Sequence, residues 1–69
     1  MHIKKALELK INQIVNYPAD RGESAGTGKI RSMSKTINKN IHGVEYIWVT
    51  VQMFGKSAVW PSNRLQERI

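Results

Sequence analysis

The feature of this chain that most constrains its fold is an alternation of apolar and polar side chains over residues 44–53. Aliphatic side chains occupy every second position: Ile47, Val49, Val51 and Met53. The positions between them carry Tyr46, Trp48, Thr50 and Gln52. Because successive side chains of a strand point to opposite faces, the pattern predicts a β-strand whose aliphatic face belongs to the core. The other face then points outward or lies under a loop.

A hairpin and a short closing segment are predicted after this strand. Residues 54–56, Phe-Gly-Lys, close a tight hairpin. Residues 57–60 form the next strand, and Pro61 ends its pairing because proline has no N–H to donate. Ser62 or Asn63 is expected to cap a single helical turn before a final short strand.

The N-terminal half is expected to begin with a strand over residues 9–17. Leu7, Leu9 and Ile11 alternate with polar residues, which suits an extended segment, and residues 1–8 are expected to form a flexible or extended arm. The alternative is a short helix lined by Ile3, Ala6, Leu7 and Lys10. Residues 18–28 are rich in turn formers, beginning with Pro18, and predict a long exposed loop.

A second strand is predicted over residues 29–37, followed by a turn at residues 38–43. Ile30, Met33 and Ile37 are irregularly spaced, which indicates a β-bulge. Five short strands, a long loop after the first and one helical turn before the last predict an all-β, SH3-like barrel. With 69 residues in total, the chain is expected to form one domain, residues 1–69.

Composition points to a polyanionic partner and away from several other classes. Eleven Lys and Arg against five Asp and Glu give a formal net charge of +6, which favours contact with nucleic acid. Without cysteine there is no disulfide or thiolate zinc site, and a cytoplasmic location is expected. The uncharged run at residues 46–55 is well short of the roughly 20 residues that span a bilayer, so no membrane contact is expected.

Catalytic motifs are not recognisable. Residues 26–29, Gly-Thr-Gly-Lys, lack the spacing of a P-loop and precede a strand rather than a helix. Asp20 and Glu23 lie in the predicted loop and His42 in a turn, where solvated side chains are the default. We therefore expect no catalytic residue, metal site or cofactor.

Residues 60–65 read Trp-Pro-Ser-Asn-Arg-Leu. This segment resembles the end of eukaryotic SH3 domains, where an aromatic residue precedes Pro-Ser-Asn, a tyrosine, an aliphatic residue and a short strand. Arg64 stands where that family has a groove-lining tyrosine. The resemblance implies an SH3-like fold with a groove beside the aromatic residues.

The chain then continues through Gln66 to Glu67-Arg68-Ile69. An aromatic-Pro segment, a leucine and Glu-Arg-Ile are similar to the end of plasmid-borne type II dihydrofolate reductases, which are tetramers of SH3-like subunits. That family lines its pore with Val-Gln-Ile-Tyr, whereas residues 57–60 here are Ser-Ala-Val-Trp, without a glutamine for pterin or nicotinamide. Reductase activity is therefore less favoured than a binding function.

The favoured function is a non-enzymatic module that contacts nucleic acid, as an accessory protein of a bacterial mobile element or phage. Phosphates would be captured by Lys29, Arg31, Lys35, Lys39 and Arg64. Tyr46 and Trp48 would supply stacking or shape contacts. The alternative for Trp48 and Trp60 is that they simply cover the core of so small a barrel.

The rival function is a protein-interaction or self-association module. It would use strand edges or an SH3-like groove lined by Tyr17, Pro18, Trp48, Trp60 and Pro61.

Overall fold

A computed structural model describes residues 1–19 and 24–68, and this part of the chain is mostly β. It begins with helix α1 (Ile3–Ala6) and contains one 3₁₀ turn (Ser62–Arg64). The strands are β1 (Ile14–Tyr17), β2 (Gly26–Met33), β3 (Asn38–Lys39), β4 (Glu45–Tyr46), β5 (Trp48–Met53), β6 (Lys56–Pro61) and β7 (Gln66–Glu67).

Five of the strands form one antiparallel sheet in the order β6-β5-β2-β1-β7. Strands β3 and β4 form a separate two-stranded ribbon. The last strand therefore returns to lie beside the first, which brings the 3₁₀ turn and β7 close to the end of β1.

The core lies on the face predicted from the alternation. Ile47, Val49 and Val51 are fully buried, and Met53 is nearly so. Each strand of the larger sheet except β7 contributes to this cluster, and Leu65 of the closing segment joins it. The predicted inward direction of the aliphatic row is confirmed.

The predicted bulge is also confirmed, and it lies at Arg31. Ile30 pairs with Val51, but the next pair is Ser32 with Thr50, so one extra residue sits in β2. Because the pairing shifts by one residue there, Ile30 and Met33 both turn towards the core although they are three positions apart.

The strand predicted over residues 44–53 is interrupted at Ile47, between β4 and β5. The Ile47 N–H donates to Ser62 Oγ at 3.0 Å, and the Ser62 N–H donates to the Ile47 carbonyl at 2.9 Å. Both residues are fully buried. Pro61 occupies the N-cap position, and no side chain caps the turn. The cap prediction was therefore wrong, because the Ser62 hydroxyl is already used by Ile47.

The first strand starts at Ile14 rather than at residue 9. Ahead of it, Ala6 and Leu9 are buried in the core. A helical turn brings these two residues, three positions apart, to one side, which an extended segment does not. Asn12 then takes a positive φ of 73° and turns the chain into β1. Residues 1–8 thus contain helix α1, the second option left by the sequence.

Strand β2 begins at Gly26, three residues before the predicted start, and ends at Met33 rather than at residue 37. A Cβ on Gly28 would lie 2.4 Å from Val51 Cγ1 and 2.8 Å from the Gln52 carbonyl oxygen. Glycine is present there because the neighbouring strand approaches closely, not because of a turn. The predicted loop is correspondingly shorter, and its residues Asp20, Arg21 and Glu23 lie outside the described residues.

The predicted turn at residues 38–43 is narrower, since Asn38 and Lys39 pair with β4. Asn40 Oδ1 accepts from the N–H groups of His42 and Val44, and Gly43 has φ 78°. The predicted strand over residues 57–60 extends to Lys56 and Pro61, and the final short strand is β7.

We call the two hydrogen bonds between Ile47 and Ser62 the clamp, and replacing Ser62 tests it. Ser62→Ala leaves the buried Ile47 N–H without its acceptor, and we expect the free energy of unfolding to fall by about 1–3 kcal/mol. Urea denaturation followed by circular dichroism measures this change. Ser57→Ala is the control, because Ser57 is exposed on β6 and should alter stability by less than about 0.5 kcal/mol. Equal stability of the two variants would contradict the role assigned to Ser62.

Candidate functional site

The outward face of β2 and β5 carries the first group of predicted contact residues. Lys29 pairs directly with Gln52, and Ser32 pairs with Thr50 on the same face. All but the half-buried Thr50 are exposed. Polar side chains of two neighbouring strands therefore form one solvent-facing surface.

Arg31 joins this surface because of the bulge. In a regular strand Arg31 and Ser32 would point to opposite faces, but both are exposed here. The bulge thus adds a guanidinium to the surface that carries Lys29 without placing a charge in the core.

Trp48 lies on the same face of β5, one step beyond Thr50. Its side chain is 43% exposed, whereas Trp60 on the inner face is only 8% exposed. Tyr46 is half-buried and meets the Trp48 ring edge-to-face, with the centroids 5.2 Å apart. The two tryptophans therefore differ: Trp60 belongs to the core, and Trp48 offers an aromatic surface to solvent.

Lys35 and Lys39 are exposed but lie outside this surface. Lys35 Nζ donates to the Leu7 carbonyl at the end of α1, at 2.8 Å. Lys39 lies in the β3–β4 ribbon directly opposite Glu45. Because their neighbours differ from those of Lys29 and Arg31, Lys35 and Lys39 are not part of the surface on β2 and β5.

Arg64 belongs to a second group, near the end of β1 and the start of β2. Its guanidinium carbon lies 5.6 Å from the centroid of the Trp60 ring, a cation–π distance. Tyr17 stacks on the same tryptophan, with the centroids 6.0 Å apart and the rings inclined by 23°. Trp60 is thus the ring that holds both Arg64 and Tyr17 in place.

A cleft of about 440 Å³ opens beside this stack. Its walls come from β1, β2, the 3₁₀ turn and β7: Asn16, Tyr17, Pro18, Ala25, Gly26, Thr27, Arg64 and Gln66. Gln66, Asn16 and Thr27 stand side by side in the register of three neighbouring strands. The cleft therefore combines an apolar wall, amide and hydroxyl groups, and one cation.

The predicted groove of five residues divides into two places. Tyr17 and Pro18 line the cleft, with Trp60 stacked behind Tyr17. Trp48 instead pairs with Pro61 across β5 and β6. The sequence could not show this division because it depends on which strands are neighbours.

Sequence reasoning missed the polar row of Asn16, Thr27 and Gln66. These residues are far apart in the chain and carry no motif, and only the pairing of β1 with both β2 and β7 unites them. A partial signal was present in Gly26, since a glycine in a strand often marks a close approach by another group.

Two further properties follow from the described residues. No group of three or more His, Cys, Asp or Glu side chains in residues 1–19 and 24–68 is arranged to hold a metal ion. Over the same part of the chain, neither the length nor the apolar content of any helix suffices to cross a membrane.

A scan against protein-family models, a search of curated proteins and a search of solved structures each found no match to this chain. Function is therefore inferred from the chemistry of the side chains at the two places described above. That chemistry consists of charge, stacking and hydrogen bonding.

Gly26→Ala tests how the cleft wall is built. A Cβ at position 26 would lie 2.6 Å from Tyr17 Oη and 2.9 Å from Tyr17 Cζ, so the ring must move. We expect altered Tyr17 ring shifts in NMR spectra and a stability loss of about 1–3 kcal/mol, typical of overpacking. Ala25→Gly, on the rim, is the control. Unchanged Tyr17 resonances in Gly26→Ala would contradict this packing.

Proposed function

We propose that this protein is a non-enzymatic module with an SH3-like barrel fold that binds nucleic acid. The observation that carries the proposal is the shared outward surface of Lys29, Arg31 and Trp48 on β2 and β5. We call these three residues the contact face.

The strand arrangement supports the barrel part of the proposal. Strands β1, β2, β5 and β6 follow one another across the sheet, and β7 returns to β1 after the 3₁₀ turn. This is the order expected for an SH3-like barrel with one helical turn before its last strand. Such a fold leaves the outward sheet face free for a ligand while the inward face fills the core.

Charge and stacking act together at the contact face. The net charge of +6 concentrates polyanions near the surface, and Lys29 and Arg31 then neutralise phosphates. Stacking of a base on an exposed ring contributes about 1–3 kcal/mol. Trp48 is the exposed tryptophan on this face, and it is a diagonal neighbour of Ser32, the residue that follows Arg31, through the Ser32–Thr50 pair.

As part of the same proposal, we infer that the module serves a bacterial mobile element or phage. The support is the likeness of its ending, from Trp60 to Arg68, to that of the plasmid-borne reductases. The pore glutamine of those enzymes has no counterpart in residues 57–60, which favours binding over catalysis.

Salt-dependent binding to oligonucleotides tests the contact face. For the two phosphate contacts of Lys29 and Arg31, the affinity should fall about 7- to 12-fold between 50 and 200 mM salt. Lys29→Gln and Arg31→Gln should each reduce the slope of log K against log salt concentration by about one. Trp48→Leu should weaken binding about tenfold while leaving the slope unchanged. Fluorescence anisotropy of labelled DNA and RNA measures all three quantities.

Lys5→Gln is the charge-matched control, because Lys5 is exposed on helix α1 rather than on the sheet. If binding depends on the contact face rather than on net charge alone, Lys5→Gln should leave the affinity within about twofold of that of the unmodified protein. Equal losses for Lys5→Gln and Lys29→Gln would contradict a defined contact face. Absence of binding to DNA and RNA at 20 mM salt would remove the proposed function.

A second candidate function is self-association, favoured by an apolar row on the same side of the sheet. Val59 is 58% exposed beside Thr50, and Pro61 pairs with Trp48. These residues lie on β5 and on β6, which is an end strand in the hydrogen-bonded order of the sheet. An exposed apolar row on such a strand is suited to burial against a second copy.

Analytical ultracentrifugation tests this second function. If the row is an interface, the unmodified protein sediments as an oligomer and Val59→Lys shifts it towards monomer, because a buried ammonium without a partner is unfavourable. Thr36→Lys adds the same charge at an exposed position away from β6 and should not shift it. A monomer at every concentration for the unmodified protein would exclude the interface.

A further inference from the structure

The contact face and the cleft are connected along strand β2. Thr27 lines the wall of the cleft and points outward. The next outward side chain of β2 is Lys29, and Arg31 follows in the bulge. Successive outward side chains of a strand are about 7 Å apart. A chain-like ligand can therefore follow β2 from the cleft to Trp48 without crossing an apolar gap.

The cleft offers groups that a nucleobase requires. Asn16 and Gln66 each present an amide with both donors and an acceptor, and Thr27 adds a hydroxyl. Tyr17 and Pro18 supply apolar surface against which a flat ring can pack. Side-chain amides next to an aromatic ring suit the edges of an unpaired base.

The cation in the cleft has donors to spare for a phosphate. Arg64 is held over the Trp60 ring, and a cation–π contact uses none of the five guanidinium N–H donors. Arg64 also sits in the 3₁₀ turn, whose position is set by the buried Ser62. The turn that carries Arg64 is therefore fixed beside the cleft, and the guanidinium packs on the Trp60 ring.

We propose that the cleft receives one unpaired base of a single-stranded nucleic acid, whose backbone then runs along Lys29 and Arg31 to Trp48. This inference rests on the proposed function and adds the strandedness of the ligand. A cleft of about 440 Å³ has room for a single base. A base in a duplex must leave its stack to enter, which costs a few kcal/mol, so single strands are preferred.

The experiment compares an eight-nucleotide single strand, as DNA and as RNA, with its duplex and with an abasic strand of equal charge. We expect the single strand to bind at least tenfold more tightly than either the duplex or the abasic strand. Comparing DNA and RNA of the same sequence shows which of the two the protein prefers. A preference for single strands of either kind supports the inference.

A fluorescence signal locates the base. The chain has two tryptophans, so Trp48→Phe leaves Trp60, which stacks behind Tyr17, as the single source of tryptophan emission. Single strands with bases should change its emission, and abasic strands should change it much less. This readout reports on the cleft side, because Trp60 faces inward and stacks behind Tyr17, whereas the side chain at position 48 faces outward.

Variants of the polar row complete the test. Asn16→Ala and Gln66→Ala should each lower single-strand affinity about five- to tenfold and leave duplex affinity unchanged. Gln52→Ala is the matched control: this exposed amide lies beside Lys29 and outside the cleft, so any loss of affinity should be equal for single strand and duplex. Gln66 is itself exposed, so its replacement should not unfold the chain.

The outcomes separate this inference from the proposed function. Equal affinity for single strand, duplex and abasic strand, with unchanged Trp60 emission, would overturn the cleft as a base site and leave the contact face standing. No binding of any nucleic acid would overturn both. Single-strand preference that is lost in Gln66→Ala but kept in Gln52→Ala supports the base site.

Discussion

The structure depends on the paired hydrogen bonds between Ile47 and Ser62. Ile47 is buried at the point where β4 ends and β5 begins, and its backbone N–H and carbonyl both bond to Ser62. An unpaired backbone donor in the core is costly, so this partner is required. The clamp sets the 3₁₀ turn, the turn places Leu65 in the core, and β7 then pairs with β1. Arg64 and Gln66 reach the cleft through the same arrangement.

The bulge at Arg31 has a comparable effect on the surface. One extra residue in β2 lets Ile30 and Met33 face inward while Arg31 and Ser32 both face solvent. Without it, either an apolar side chain would leave the core or a guanidinium would enter it. The same local irregularity therefore serves packing and places a cation beside Lys29, and it joins the contact face to the cleft along one strand.

The sequence predicted features that depend on neighbouring residues in the chain, and it did not predict those that depend on contacts between distant residues. The alternation in residues 44–53 and the irregular spacing after Ile30 are local, and both led to correct predictions. The sequence predicts a loop at Gly28, whereas glycine is needed there because Val51 of another strand lies close to it. The sequence also predicts that Ser62 caps a helical turn, whereas its hydroxyl accepts from the Ile47 N–H, 15 residues away. Five residues were grouped as a groove, but strand pairing separates Trp48 and Pro61 from Tyr17 and Pro18.

The sequence by itself determined the mostly β character, the inward row from Ile47 to Met53, and the strong positive charge. These follow from the two-residue period of a strand and from simple counting, which need no knowledge of neighbours. Only the tertiary structure decided which tryptophan is exposed, where Arg64 points, and that Asn16, Thr27 and Gln66 share one cleft. Those facts depend on register between strands distant in the chain, because the pairing of backbones, not the identity of side chains, brings such residues together.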